Sequence, residues 1–138
     1  MPSWPPMEVK THLRADPQFC GRLLDLSDGS ARVALDTTGS MVVDDKGLIH
    51  GGFVFGTADY AAMLAVNDPN VVLGAASARF LKPVREGDRL IATARAVATR
   101  GSKREVLVEA TVDSVKVFEG TFTCVVLERH VLERAGSK

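Results

Sequence analysis

From Phe53 to Val66 the chain reads Phe-Val-Phe-Gly-Thr-Ala-Asp-Tyr-Ala-Ala-Met-Leu-Ala-Val, with one carboxylate, Asp59, and no cation. Its Ala, Met and Leu favour helix, and Asn67-Asp68-Pro69 stops it, because proline cannot continue a helix and restricts the residue before it. A helix apolar on nearly every face is predicted to be buried on every face. It is too short to cross a bilayer, which takes about 20 apolar residues. It must therefore be the centre of a folded domain, with the rest of the chain wrapped around it. A chain of 138 residues fits one such domain, 1–138, burying about two thirds of the surface its unfolded form exposes. The Pro-rich Met1–Pro6 cannot sustain a helix or a central strand, so 1–7 and, at the other end, 133–138 are expected to be loose termini.

The wrapping is predicted to be β-sheet. Arg22–Leu26 and Ala31–Leu35 alternate like the arms of a hairpin turned at Asp28-Gly29-Ser30, and Glu8–Ala15 is expected to form a short helix before them. Residues 36–49, rich in Thr, Gly, Ser and Asp, read as a loop. After the helix, Leu90, Ala92, Ala94, Ala96 and Ala98 alternate with residues such as Thr93 and Arg95. Val106, Val108, Ala110 and Val112 then alternate with Glu105, Glu109 and Asp113, and Phe118 to Val126 continue the period of two. The small side chains of 92–98 leave room for something bulky to lie on the sheet. Glu86-Gly87-Asp88, Arg100-Gly101-Ser102 and Asp113-Ser114 are expected to join these strands as antiparallel neighbours. The fold class is thus α+β: one long central helix wrapped by a curved antiparallel sheet of five to six strands. Open edges of strands that long ordinarily pair with another copy, which predicts a dimer.

Composition narrows the function. Lys+Arg 17 balance Asp+Glu 17, so neither nucleic acid nor an anionic membrane surface is the expected partner. Met1–Pro6 has no charged-then-apolar signal pattern, which makes the cytoplasm the expected location. Cys20 and Cys124 lack CxxC or metal-ligand spacing and are read as reduced thiols, with no metal and no cofactor.

The motif that carries chemistry is Gly47-Leu-Ile-His50-Gly51-Gly52, entering the central helix. Glycines at a helix N-terminus let a ligand approach the backbone, and the unpaired N–H groups there can hold a developing negative charge. A tight turn with a structural histidine is the other reading of the same residues. Asp59 lies about two turns further along. A lone carboxylate in an apolar helix is paired, for example with Arg79 or Arg95, or open to a cleft, or functional.

Gly47-x-x-His50-Gly51-Gly52, Ala58-Asp59 nine residues after the histidine, Asn67 closing the helix, Arg79-Phe-Leu-Lys82-Pro83 and Gly87-Asp88-Arg89-Leu90 together resemble the hot-dog superfamily. Within it, they are similar to the thioesterase group typified by the phenylacetate-degradation thioesterase, over roughly residues 18–128. The resemblance implies a single hot-dog domain that hydrolyses an acyl-CoA thioester. In it Asp59 activates water or attacks the carbonyl, the Gly51 N–H polarises the carbonyl, His50 helps shape the hole, and Gly52 is a substrate-binding position. It implies active sites shared across a homodimer, with a tetramer as the larger assembly. Asp44 stands where relatives carry a substrate-binding asparagine, and Ser77 is near the serine or threonine some of them use. Of the basic residues, Arg79, Lys82 and Lys103, with Arg85, Arg89, Arg100 and Arg104, are candidates for the phosphates of coenzyme A; solvated surface charge is the alternative. His12 and His130 are expected to lie outside the site. Asp45-x4-His50 has the spacing of hot-dog enoyl-CoA hydratases, a second enzymatic reading. A non-catalytic acyl-CoA-binding protein is a third, although nothing in this chain is left over for a DNA-binding domain and Asp59 would have no task.

Overall fold

A computed structural model describes residues 7–133. The termini expected to be loose fall, apart from Met7 and Glu133, outside the described residues. The chain forms a short helix α1 (Pro17–Cys20), the hairpin β1 (Arg22–Ser27) and β2 (Ser30–Asp36), the long helix α2 (Gly51–Val66), and strands β3 (Val71–Phe80), β4 (Arg89–Arg100), β5 (Lys103–Val112) and β6 (Val115–Val126). All pairings are antiparallel, in one sheet of order β1-β2-β4-β5-β6-β3. This is the architecture the sequence predicts. None of the described helices is long and apolar enough to cross a membrane.

The period of two decides which face meets the helix. Leu90, Ala92, Ala94, Val106, Val108, Ala110, Phe118, Phe122 and Cys124 are all buried, and α2 lies across β2, β4 and β5 on that side. The alanines of β4 let the helix come close, and Phe118 and Phe122 fill the space beyond them, with Phe55 5.4 Å from Phe122. Asp113 and Ser114 turn β5 into β6 with both residues left-handed (φ 49° and 67°), a two-residue turn that matches strand twist.

Three expectations are corrected. Glu8–Ala15 is not a helix; the helix starts after it, at Pro17, because proline is suited to the first helical position and the Asp16 carboxylate accepts the Gln18 N–H at 2.9 Å. The segment before it is irregular, with a turn closed by Ala15 N–H to His12 C=O (3.1 Å), and lies against α2. Second, β3 and β4 are not neighbours. β3 pairs with β6 and lies at the far edge, and the chain crosses to β4 beneath the start of α2, held by Ile49 N–H to Val84 C=O (2.9 Å) and Glu86 N–H to Gly47 C=O (2.8 Å). Third, α2 is not buried all round. Ala58 and Ala61–Leu64 are fully buried, whereas Phe53, Phe55, Asp59 and Tyr60 are only half-buried, because one chain's sheet wraps one side of the helix.

Candidate active site

The loop before α2 is built by its own polar groups. The Asp44 carboxylate accepts from the N–H groups of Lys46 (3.0 Å) and Leu48 (3.1 Å), while Val42 and Leu48 bridge to Ile49 and Arg85. The His50 N–H donates to Met41 C=O at 2.9 Å. That leaves His50 as N-cap in an extended conformation (φ −60°, ψ 129°) with no side-chain cap on the helix. The first N–H groups of a helix have no partner within it, so those of Gly51 and Gly52 are free to take a ligand. A Cβ on Gly52 would come within 3.0 Å of the His50 ring, and one on Gly51 within 3.4 Å of Phe80. Glycine at 52 is therefore what lets the imidazole lie back over the helix start, edge-on to Phe53 (6.0 Å, 81°). Beside it opens a cleft of about 320 Å³ lined by Leu48, Gly51, Val54, Phe80, Lys82 and Val84. Phe80, 56% exposed, stands at its mouth.

Asp59 is on the open side of the same helix. Its Oδ1 is buried with no hydrogen-bond partner among the described residues. Burial pushes the carboxyl pKa up, and the charge of His12 works against that push. The alternative expected from the sequence, an ion pair with Arg79 or Arg95, is not formed. Both arginines lie with Ser77 on the outer face of the sheet, in a groove of about 690 Å³. The register explains why: Ala76, Ala78 and Phe80 pair with the core-facing Phe122, Gly120 and Phe118, so Ser77 and Arg79 point the other way.

Of the residues singled out in the sequence, Gly51, Gly52, His50 and Lys82 are brought together at the helix start. Asp44 serves that loop rather than the surroundings of Asp59. Ser77 and Arg79 are on the opposite face of the sheet. Lys103 pairs with Val125, at the other end of β6 from Phe118 and the Gly51 cleft. Arg89 is engaged with Asp36 (3.4 Å) and Arg104 with the Gly101 and Lys103 carbonyls. Cys20 and Cys124 are free thiols, that of Cys124 pushed up to about 12, chiefly by burial. His12, expected to lie apart from the site, is instead packed against α2: its ring lies 6.4 Å from that of Tyr60, and burial pushes its pKa down while the charge of Asp59 works against that push. No local motif links positions 12 and 59; only the path of the chain does.

Within one protomer Gly51 and Asp59 cannot serve the same carbonyl. They are eight residues apart on one helix, which at 1.5 Å per residue is about 12 Å, whereas a reacting atom must lie about 3 Å from both base and oxyanion donor.

A long helix cradled by one curved antiparallel sheet defines the hot-dog fold. Residues 46–119 match the family model described as the thioesterase superfamily, and the chain belongs to that superfamily. An uncharacterized Pyrococcus horikoshii protein, PH1136, superposes with a TM-score of 0.92 at 48% identity over 94% of this chain and 100% of that one. The E. coli PaaI protein from the phenylacetic acid degradation operon does so at 0.70 and 25% identity, over 75% and 81%. Among curated proteins, a methylthioribose-1-phosphate isomerase of Aquifex aeolicus is 50% identical over 121 residues, 88% of this chain but 26% of that protein. The transcription factor FapR of Caldanaerobacter subterraneus is 32% identical over 128 residues, 92% of this chain and 63% of that one. The chain thus spans about a quarter of the first of these curated relatives and under two thirds of the second.

Proposed function

We propose that the chain is an acyl-CoA thioesterase whose active sites form between two copies, Asp59 of one facing Gly51 of the partner subunit. The observation that carries this reading is the separation of about 12 Å between the two groups on one helix, which leaves each without its complement inside a protomer. Two further features support pairing. Gly74–Ser77 on the edge strand β3 are exposed, and Phe53, Phe55 and Tyr60 leave apolar surface on the open side of α2.

In the proposed reaction water adds to the thioester carbonyl and Asp59 takes its proton. The oxyanion is held by the Gly51 N–H of the partner subunit, and collapse breaks the C–S bond. The departing thiolate takes the proton back from Asp59, leaving a free acid and coenzyme A. Direct attack by Asp59 to give an acyl anhydride, then hydrolysed by water, uses the same geometry. Lys82, on the cleft beside Gly51, is the basic residue best placed for a phosphate; Lys103, Arg79 and Ser77 would need a neighbouring subunit to join them.

Mixing two inactive variants tests the shared site. Asp59→Asn removes the carboxylate. Gly51→Pro removes the N–H at a position where proline is tolerated, after a residue already in the extended conformation proline requires. Random reassortment makes half the dimers mixed, each with one intact site. Mixtures should recover up to about a quarter of wild-type thiol release; none at all, in mixtures shown by native mass spectrometry to contain the mixed dimer, would rule out the shared site.

A second reading is a non-catalytic acyl-CoA-binding module, favoured by the likeness to a transcription factor. Tight acyl-CoA binding without thiol release by the wild-type chain would establish it.

A further inference from the structure

The residues preceding α1 run along α2 as a strap. Asn67, the left-handed cap that ends α2 (φ 54°), holds this segment with both ends of its amide: Oδ1 accepts the Lys10 N–H and Nδ2 donates to Glu8 C=O, each at 2.8 Å. Thr11 is buried at 4% exposure, and its hydroxyl shares a 2.8 Å hydrogen bond with His12 Nδ1. His12 itself takes a left-handed backbone (φ 55°), a conformation that costs a non-glycine residue roughly 1 kcal/mol or more and persists where surrounding contacts hold it. Those contacts turn the imidazole toward Tyr60, next to Asp59. On its other side the ring borders a cleft of about 290 Å³ that His130 also lines. Asp59 Oδ1, meanwhile, is buried with no hydrogen-bond partner among the described residues.

We propose that the strap is part of the active site: clamped by Asn67, it sets His12 beside Asp59 as a positioning residue that acts through the carboxylate. This rests on the reading of Asp59 as the working group. The titratable neighbours of Asp59 are His12 on the strap, Cys20 on α1, Tyr60 on α2 and Cys124 on β6, with Asp16 beside Cys20 and His130 across the cleft from His12. Burial raises both thiols and the phenol, so they stay neutral in acid. His12 is the neighbour of Asp59 that gains charge there. As pH falls it takes up a proton, and the imidazolium favours the ionised carboxylate against the burial that opposes it. His12 thereby extends the range over which Asp59 can accept a proton toward lower pH.

Titrating the Asp59 carboxyl by carbon-13 NMR, with Asp59→Asn identifying its signal, tests this independently of turnover. His12→Asn keeps a side chain that tolerates the left-handed backbone and cannot gain charge. It should move the Asp59 midpoint up by about 0.5 to 1 pH unit, the size expected for loss of one nearby unit charge that is partly screened by solvent. His12→Lys, a fixed cation, should bring it back to or below the wild-type midpoint. The acid limb of kcat/KM for thiol release should follow both shifts. A midpoint unmoved or lowered in folded His12→Asn overturns the proposal, even if Asp59-dependent hydrolysis is intact. The expected shifts in a chain that releases no thiol would leave the charge coupling standing and sink the thioesterase reading instead.

Discussion

Asp59, the proposed catalytic base, carries a cost in stability. Its folded pKa is raised by burial, so ionisation opposes folding. The sign follows: the penalty is absent below the ordinary carboxylate pKa and complete once pH has risen through the folded pKa. Asp59→Asn is therefore expected to raise Tm at pH 7 to 8, by an amount that fades toward pH 4, while lowering kcat at least about a hundredfold. Calorimetry over that pH range and a thiol-release assay check the two halves. Gly51→Pro should lower kcat by a similar factor, the loss of one oxyanion donor, with far-ultraviolet circular dichroism unchanged. The cysteines provide a separate check on burial. Cys124, with its thiol at about 12, should resist alkylation at pH 8 until the chain unfolds, whereas the part-exposed Cys20 should react in the native state, more slowly than a free thiol. Mass spectrometry of the labelled peptides distinguishes them.

At the scale of elements, α2 was legible because its pattern has no polar face, and β2 and β4–β6 because theirs alternate. The short helix was misplaced by a few residues: Asp16-Pro17 reads equally as a stop or a start, and only the Asp16 side chain on the Gln18 N–H decides between them. The strap was illegible, since no periodicity marks a segment whose hydrogen bonds go to Asn67, 57 and 59 residues away. Asn67 has two tasks here, which substitution can separate. Asn67→Gly keeps the left-handed cap and loses the clamp, whereas Asn67→Ala loses both and is expected to cost about 1 kcal/mol more. Urea unfolding measures that difference, and hydrogen exchange at the Lys10 amide should accelerate in both.

For the whole molecule, the proposed pairing of two copies would use the open side of α2 and the exposed edge of β3. Ala76 pairs with buried Phe122 and so faces the helix side of the sheet, yet it is exposed. Ala76→Arg is expected to give a folded monomer by light scattering with thiol release lost, although Asp59, His50 and Gly51 are untouched. A variant that remains dimeric and active would mean that the copies pair elsewhere.

The sequence by itself determined the helix, the alternating strands around it, the glycine-rich helix start and the oddity of Asp59, because these follow from local periodicity and from the cost of a charge in an apolar helix. Tertiary structure alone decided the rest. It sent β3 to the far edge, turned Ser77 and Arg79 away from the helix, gave Asp44 to its own loop and brought the His12 ring to Tyr60, the residue after Asp59. Register and crossovers are set by which surfaces fit after collapse, and a one-residue slip reverses a strand's faces, so local pattern cannot specify them.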